Sequence, residues 1–313
     1  MERKYEIVIE STCDLNAELR EKYGVYKDYI RGFIYMPGGE EIKADAEWEN
    51  YSPKKFFSIV RKKVGDVKTA FANYAEFSRV IEPILKEGKD AIIVTISSGI
   101  SGTANAFRNF TDIILEDYPE RKIAVIDSLK YASGSGLLAI YGAKNKDKGL
   151  SFEDNVKWLN ENRFRLHEMG PMDDLRFLAK NGRIAAGKAF FGQLAGVQPV
   201  ADFTIDGKNM PLGTVRGDKA VNKFCLEYVK QTIENPEDQI IVICHSEREE
   251  RAKLFKKQLE KEIKAKEILI IHVGESCGPN IGPGLCVYFY LGKALTKQRE
   301  FENQLYASIK ETL

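Results

Sequence analysis

Histidine and paired cysteine, on which metal and nucleophile chemistry commonly depends, are scarce in this chain. Its 313 residues include three histidines, His167, His245 and His272, none at ligand spacing from another. The five cysteines, Cys13, Cys225, Cys244, Cys277 and Cys286, are scattered and form no C-x-x-C pair. This pattern argues against a structural zinc site and reads as reduced thiols in the cytoplasm. Long apolar runs are missing too, so no membrane insertion is expected. The opening MERKYEIVIE passes straight into a strand-like run, without the apolar core of a signal peptide. Neither charge is in excess: 47 basic and 46 acidic residues leave a formal +1. No global field therefore draws the chain toward nucleic acid, and binding must come from a built site. There is no G-x-S-x-G and no GxxxxGK[ST], which leaves nucleophilic hydrolysis and nucleotide triphosphate binding without support; no catalytic residue is assigned.

What is present is the composition of a folded α/β protein, 43% hydrophobic and 30% charged. β-branched runs alternate with helical stretches: Tyr5 to Ile9 then Leu15 to Tyr23, Asp90 to Ile96 then Thr103 to Leu115, Ile123 to Ile126 then Ser135 to Lys146. Such alternation predicts βαβ units. After Gly149 the pattern restarts, with strands at 197–203, 239–244, 267–273 and 285–291 and helices between them. The reading is two α/β domains with largely parallel sheets, residues 1–150 and 151–313. The second ends in a helix whose Phe301, Leu305 and Ile309, four apart, give it one face to dock on the body.

Ligands of open α/β sheets sit beyond the carboxyl ends of the strands. Three of those ends run into small, hydroxyl-rich turns: Ser11-Thr12-Cys13-Asp14, Ser97-Ser98-Gly99-Ile100-Ser101-Gly102-Thr103, and Asp127-Ser128. Ser11 and Asp14 read as helix caps. The Ser97–Thr103 turn opens a helix, and its peptide N–H groups, glycines and hydroxyls make a small anion site. His272, inside an apolar run, reads as a packed strand residue.

In their order these motifs resemble the DegV family, fatty-acid-binding proteins that include the acyl-carrying subunit of bacterial fatty acid kinase. Ser11-Thr12-Cys13-Asp14-Leu15 is similar to the family's S-T-x-D-L, and Ser97 to Thr103 to S-S-x-L-S-G-T. Lys68-Thr69 stands where the family has T-S-x-P-S. Val125-Ile126-Asp127-Ser128 precedes Gly134 and Gly136. Asn181-Gly182-Arg183-Ile184 resembles the G-R-I turn, Gln198-Pro199-Val200 the K-P-I strand, Val215-Arg216-Gly217 the R-G turn, Cys244-His245 the strand-end histidine, and Gly282-Pro283-Gly284 the glycine-rich ending.

The resemblance implies a bound long-chain fatty acid as ligand, no cofactor, and an acyl tunnel near the interdomain face. It also implies a carboxylate held by Thr69, Ser98 or Ser101, and Arg216. Asn280 stands where the family has histidine; it can hydrogen-bond an acid but cannot become cationic. The stretch after Thr69 lacks the second hydroxyl and the proline. Arg183, exposed in this reading, is either a capping cation or a contact for a partner such as a fatty acid kinase. The small and apolar segment Gly187 to Val200 reads equally as tunnel wall or domain core. Two other readings stand beside the lipid carrier: an enzyme acting alone on a small acidic or phosphorylated substrate, and a regulatory protein with a vestigial lipid pocket.

Overall fold

The computed structural model describes residues 4–62, 64–184 and 196–313. They fall into two compact units. The first holds the chain up to Ser52, Asp66–Arg163 and Gly274–Cys277; the second holds Pro53–Gly65, Phe164–Val273 and Gly278–Leu313. The expected division after residue 150 falls one helix short of where the long run of the first unit ends.

In the first unit β1 (Tyr5–Ile9), β5 (Asp90–Thr95) and β6 (Ile123–Asp127) form a parallel sheet in the order β1-β5-β6. A small antiparallel sheet is ordered β3-β2-β4, with β2 Phe33–Tyr35, β3 Glu41–Lys43 and β4 Lys68–Ala70. The helices are α1 (Ala17–Tyr23), α3 (Tyr74–Lys86), α4 (Thr103–Asp117), α5 (Ala132–Asp147) and α6 (Phe152–Asn162). Phe77, Val80, Ile81 and Ile84 of α3 and Phe107 and Ile114 of α4 bury their apolar faces with Val8 and Ile93 of the sheet. α5 is buried at every position from Ala132 to Ala143, because its glycines, alanines and serines let it lie close to neighbouring chain. α6 joins this unit through Asn155, whose amide donates to Gly142 O at 2.8 Å and to Tyr5 Oη at 3.0 Å.

The second unit opens with α2 (Pro53–Lys62) and builds a six-stranded sheet, β11-β10-β12-β7-β8-β9. Its strands are β7 (Leu166–Pro171), β8 (Val197–Phe203), β9 (Asn209–Arg216), β10 (Ile240–His245), β11 (Glu267–His272) and β12 (Cys286–Leu291). The α/β class is as expected, but parallel pairing holds here only between β10 and β11; the other pairs are antiparallel. Two of the antiparallel strands are hidden in the sequence. β7 carries buried His167 and Glu168 and ends in Pro171, while β9 contains Pro211 and Gly213, so neither shows the β-branched run that marks a strand. β8 and β9 are joined by a tight turn in which Gly207 has φ 72° and Thr204 N donates to Lys208 O, and a hairpin forces antiparallel pairing.

Helices α7 (Arg176–Lys180), α8 (Asp218–Thr232), α9 (Glu249–Glu262), α10 (Gly278–Ile281) and α11 (Glu300–Glu311) complete the unit. Leu305 and Ile309 of α11 are buried in the core with Phe224 and Tyr228 of α8, Phe255 of α9 and Tyr288 and Tyr290 of β12, and Phe301 packs against it. Beside this core lies a polar knot: Asp202 accepts from His167 Nδ1 (2.6 Å), Tyr228 Oη (3.1 Å), Glu168 N (3.0 Å) and Phe203 N (2.8 Å). His167 Nε2 bonds Lys293 O at 2.7 Å. No helix among the described residues is long and apolar enough to cross a membrane.

Candidate ligand-binding site

The carboxyl ends of β1, β5 and β6 carry the three hydroxyl-rich turns, and buried acids tie them together. Glu10, directly after β1, accepts from Thr12 N at 2.9 Å, from the Thr12 hydroxyl, and from Ile96 N at 3.1 Å. Burial lifts its carboxyl above the ordinary value, against the pull of those donors. The chain then makes one 3-10 turn, Ser11–Cys13, and passes Asp14 in the left-handed region at φ 56°, where aspartate is among the few tolerated side chains.

Ser11 and Asp14 are not helix caps. Asn16 caps α1 by accepting from Leu19 N, whereas Ser11 and Asp14 hold chain that is remote in sequence. Ser11 Oγ accepts from Gly32 N (3.0 Å) and from Ser276 Oγ (2.8 Å). Asp14 accepts from Gly274 N (2.9 Å) and Ser133 Oγ (3.3 Å). The four residues Gly274–Cys277 thus form a strap within the first unit. Glu275 completes it by accepting from Asp45 N (2.9 Å) and Asn50 Nδ2 (3.1 Å). Burial pushes the Asp14 carboxyl up to about 8, and burial pushes Glu275 up to about 7 with Asp45 adding to it. At neutral pH Asp14 is therefore largely a neutral acid.

α5 fixes the Ser11–Cys13 turn from below. A Cβ at Gly136 would stand 2.3 Å from Cys13 O and 3.0 Å from the Leu15 side chain. Gly136→Ala should therefore destabilise the protein by about 1–3 kcal/mol, as overpacking does. Thermal and urea unfolding would measure it, and no measurable loss would mean that the turn yields freely.

Asp127 organises the second turn: its Oδ1 accepts from Ser98 N (3.0 Å) and Leu129 N (3.1 Å). Ser97 N donates to Lys130 O at 2.7 Å, and Ser97 Oγ accepts from Gly99 N at 3.0 Å. Ser98 is left exposed; Ser101 is half-buried, its hydroxyl 2.8 Å from that of Thr103. Thr69, half-buried in β4, lies opposite Ile34 of β2. A Cβ on Gly32 would meet Ala70 O at 2.7 Å and Ser11 Oγ at 3.5 Å, and one on Gly102 would touch the Phe71 ring at 3.4 Å. The segment after Thr69 therefore runs from the Ser11 turn toward the Ser97–Thr103 turn. None of the three histidines belongs to this unit. Within this unit the set offers hydroxyls and a largely neutral acid, Asp14.

Arg216, Asn280 and Arg183 lie in the second unit. Arg216 is exposed at the end of β9, paired in register with Val197. Asn280 is half-buried on α10, where Asn181 Nδ2 donates to Pro279 O at 3.2 Å. That bond brings the Asn181–Ile184 turn to the helix bearing Asn280. Arg183 is half-buried rather than exposed, because its guanidinium turns back to donate to Asn181 O. Of the segment Gly187 to Val200, residues 187–195 lie outside the described residues. Beside α10 is a narrow surface depression lined by Met172, Leu178, Ile281, Pro283 and Leu285 with Asp173 and Asp174. His245 and His272 end the parallel pair β10 and β11 with ring centroids 4.8 Å apart, and burial and the neighbouring His272 hold the His245 imidazole down to about 4. Among the described residues no cluster of three or more His, Cys, Asp or Glu could hold a metal, and all five cysteines are buried and unjoined.

Sequence reasoning passed over Glu10, Glu275 and Lys130, all at most 4% exposed. The available signal was a single charge set among small or apolar residues, as in G-E-S-C and D-S-L-K-Y-A-S.

The fold is that of a two-unit α/β protein with hydroxyl-rich turns at the carboxyl ends of a parallel sheet. The chain belongs to the DegV family, whose model, described as an uncharacterised protein of that family, matches residues 4–293. A DegV domain-containing protein of Clostridium perfringens is 29% identical over 291 residues, covering 93% of this chain and 98% of its own. Among solved structures, a fatty-acid-binding DegV family protein from Thermus thermophilus superposes with TM-score 0.80 at 23% identity, covering 92% of this chain and 99% of that one. A DegV family protein from Eubacterium eligens loaded with heptadecanoic acid superposes with TM-score 0.79 at 21% identity, covering 92% and 100%.

Proposed function

We propose that this protein is a lipid carrier: it binds a long-chain fatty acid and presents the carboxylate to a separate fatty acid kinase for acyl-phosphate formation. The reading is supported by the lie of the hydroxyl-rich turns at the carboxyl ends of the parallel sheet, in the same unit as Thr69, Ser98 and Ser101, to which the motifs assign the headgroup. Relatives of the same fold that bind fatty acids support it. Thr69, Ser98 and Ser101 receive the headgroup. The assignments of Arg216 and Asn280 as headgroup ligands, and of Arg183 as a kinase contact, rest on the motifs around them. Such a carrier works in the cytoplasm, where unjoined thiols stay reduced.

Burying about a dozen methylenes at roughly 0.8 kcal/mol each yields a gross gain near 10 kcal/mol before ordering costs. A headgroup hydrogen bond nets only about 1 kcal/mol, or about 1.5–3 when charged. The tail supplies affinity, and the headgroup donors set selectivity for an acid by preventing an unpaired buried carboxylate.

The test is to denature purified protein, extract it into organic solvent and identify the extract by mass spectrometry. A stoichiometric fatty acid is expected. An empty extract together with failed reloading would sink the reading and return attention to an enzyme or a vestigial pocket. For the kinase step, a cognate acyl kinase with nucleotide should phosphorylate the acid faster in this protein's presence; equal rates would remove the carrier role. Arg216→Ala should weaken binding of the acid more than of the matching alcohol, and equal losses would take Arg216 out of the headgroup site.

A further inference from the structure

We infer that the strap Gly274–Cys277 is an acid-closed latch on the Ser11–Cys13 turn, gripped while Glu275 is neutral and loosened when Glu275 ionises. The inference goes beyond the carrier reading and stands whether or not that reading holds. The strap lies in no strand or helix, so single hydrogen bonds to the rest of the first unit must hold it. Gly274 N donates to Asp14 Oδ1 (2.9 Å), Ser276 Oγ to Ser11 Oγ (2.8 Å) and Cys277 Sγ to Thr12 O (3.7 Å). The approach is close, since a Cβ on Gly274 would stand 2.7 Å from Asp14 Oδ1. Opening the strap would therefore uncover the first of the three hydroxyl-rich turns.

Glu275 is the member of the strap that can change state. It is 1% exposed, and Asp45 N and Asn50 Nδ2 both donate to its Oε2. Its Oε1 is buried with no hydrogen-bond partner. A neutral carboxyl tolerates that arrangement far better than a carboxylate, whose bare oxygen out of water carries the full desolvation cost.

No lysine, arginine or histidine among the described residues is bonded to Glu275 to offset that cost. Asp45, which accepts from Tyr29 Oη and from the peptide groups of Glu47 and Glu49, adds negative charge beside it. Tyr51, which Glu275 also influences, is an acid too. The other charges of that segment are engaged or turned outward: Lys43 pairs with Glu76 (2.8 Å), Glu47 with Arg20 (3.1 Å), and Glu49 is exposed. Burial first, and Asp45 after it, push the Glu275 carboxyl from 4.5 up to about 7.

Opening the strap returns that carboxyl to water and to its ordinary value of 4.5. The closed strap thus holds the proton more tightly. Closure is fully present below the ordinary value, weakens as pH rises toward about 7 and levels off above it. Within that interval the open fraction should rise up to about tenfold per pH unit.

Cys277, buried with the strap, reports the opening. Its modification by iodoacetamide is followed by peptide mass spectrometry from about pH 5 to about pH 7.5. Each rate is divided by that of the urea-unfolded chain at the same pH, which cancels the ionisation of the thiol itself. Cys244, fully buried in β10, reports unfolding of the chain as a whole. The normalised Cys277 rate should exceed that of Cys244 and rise about tenfold or more across the interval. Glu275→Gln cannot ionise but keeps an acceptor oxygen for Asp45 N, and should reduce the rise severalfold. A Cys277 rate that tracks Cys244, or a rise undiminished in the variant, would overturn the latch. So would a wild-type rate independent of pH, a result that decides the question even if Glu275→Gln does not fold.

Discussion

Replacing Asp202 by leucine should cost about 3–5 kcal/mol of stability, because breaking a buried polar knot by removing one partner leaves the others unsatisfied. Asp202 is fully buried and serves four donors: His167, Tyr228 and the peptide groups of Glu168 and Phe203. His167 is itself fully buried, so it has no route to water when its carboxylate partner is gone. Asp202→Asn keeps the shape and an acceptor oxygen and should lose less. Tyr228→Phe removes a single hydroxyl and should lose about 1 kcal/mol. Urea unfolding of the three variants gives the ranking; a loss near that of Tyr228→Phe for the leucine variant would mean that the knot contributes little.

Stability should fall as pH rises from about 6.5 to about 8, on the order of 2 kcal/mol in total at about 1.4 kcal/mol per pH unit for each proton held. Asp14 is raised from 3.8 to about 8 and Glu275 from 4.5 to about 7. In that window the unfolded chain has released both protons, while the folded chain keeps that of Asp14 and, at the lower end, that of Glu275. The folded state binds more protons, so stability declines with pH and levels off above about 8. His245 works in the opposite sense but lower. Depressed from 6.5 to about 4, it destabilises the fold as pH drops through that interval and leaves the upper window clear.

Asp14→Asn removes the larger contribution and suits the left-handed backbone, since asparagine also tolerates that region. Its stability should be nearly flat across the window, apart from what Glu275 still contributes. A variant as steep as wild type would show that Asp14 is already ionised at neutral pH.

Each unit was legible in part: the parallel sheet of the first and β8, β10, β11 and β12 of the second fall where their patterns run, whereas the small sheet β3-β2-β4 and helix α3 of the first were not foreseen. β1 and α6 fall on the bounds their patterns imply, and α4 and β5 differ by a residue or two at one end, because βαβ units write their periodicity into contiguous segments. β7 and β9 were hidden because a strand stabilised by its neighbours need not look like one. His167 sits in β7 only because Asp202 and Lys293, far along the chain, satisfy its ring. The site divides in the same way. The hydroxyl turns were visible as motifs. The acids that lock them were not, since nothing near Glu10, Asp14 or Glu275 announces a partner such as Ile96, Gly274 or Asp45.

By itself the sequence determined the α/β class, the family, and the place of the hydroxyl-rich turns, because helix and strand periodicity and turn chemistry are local properties of contiguous residues. Only the tertiary structure decided the mixed pairing of the second sheet, the inclusion of Gly274–Cys277 in the first unit, and the burial of Glu10, Asp14, Lys130 and Glu275. Those depend on contacts between residues up to 265 positions apart, as from Ser11 to Ser276. A charge's environment is set by what folds over it, and the chain near it in sequence does not record that.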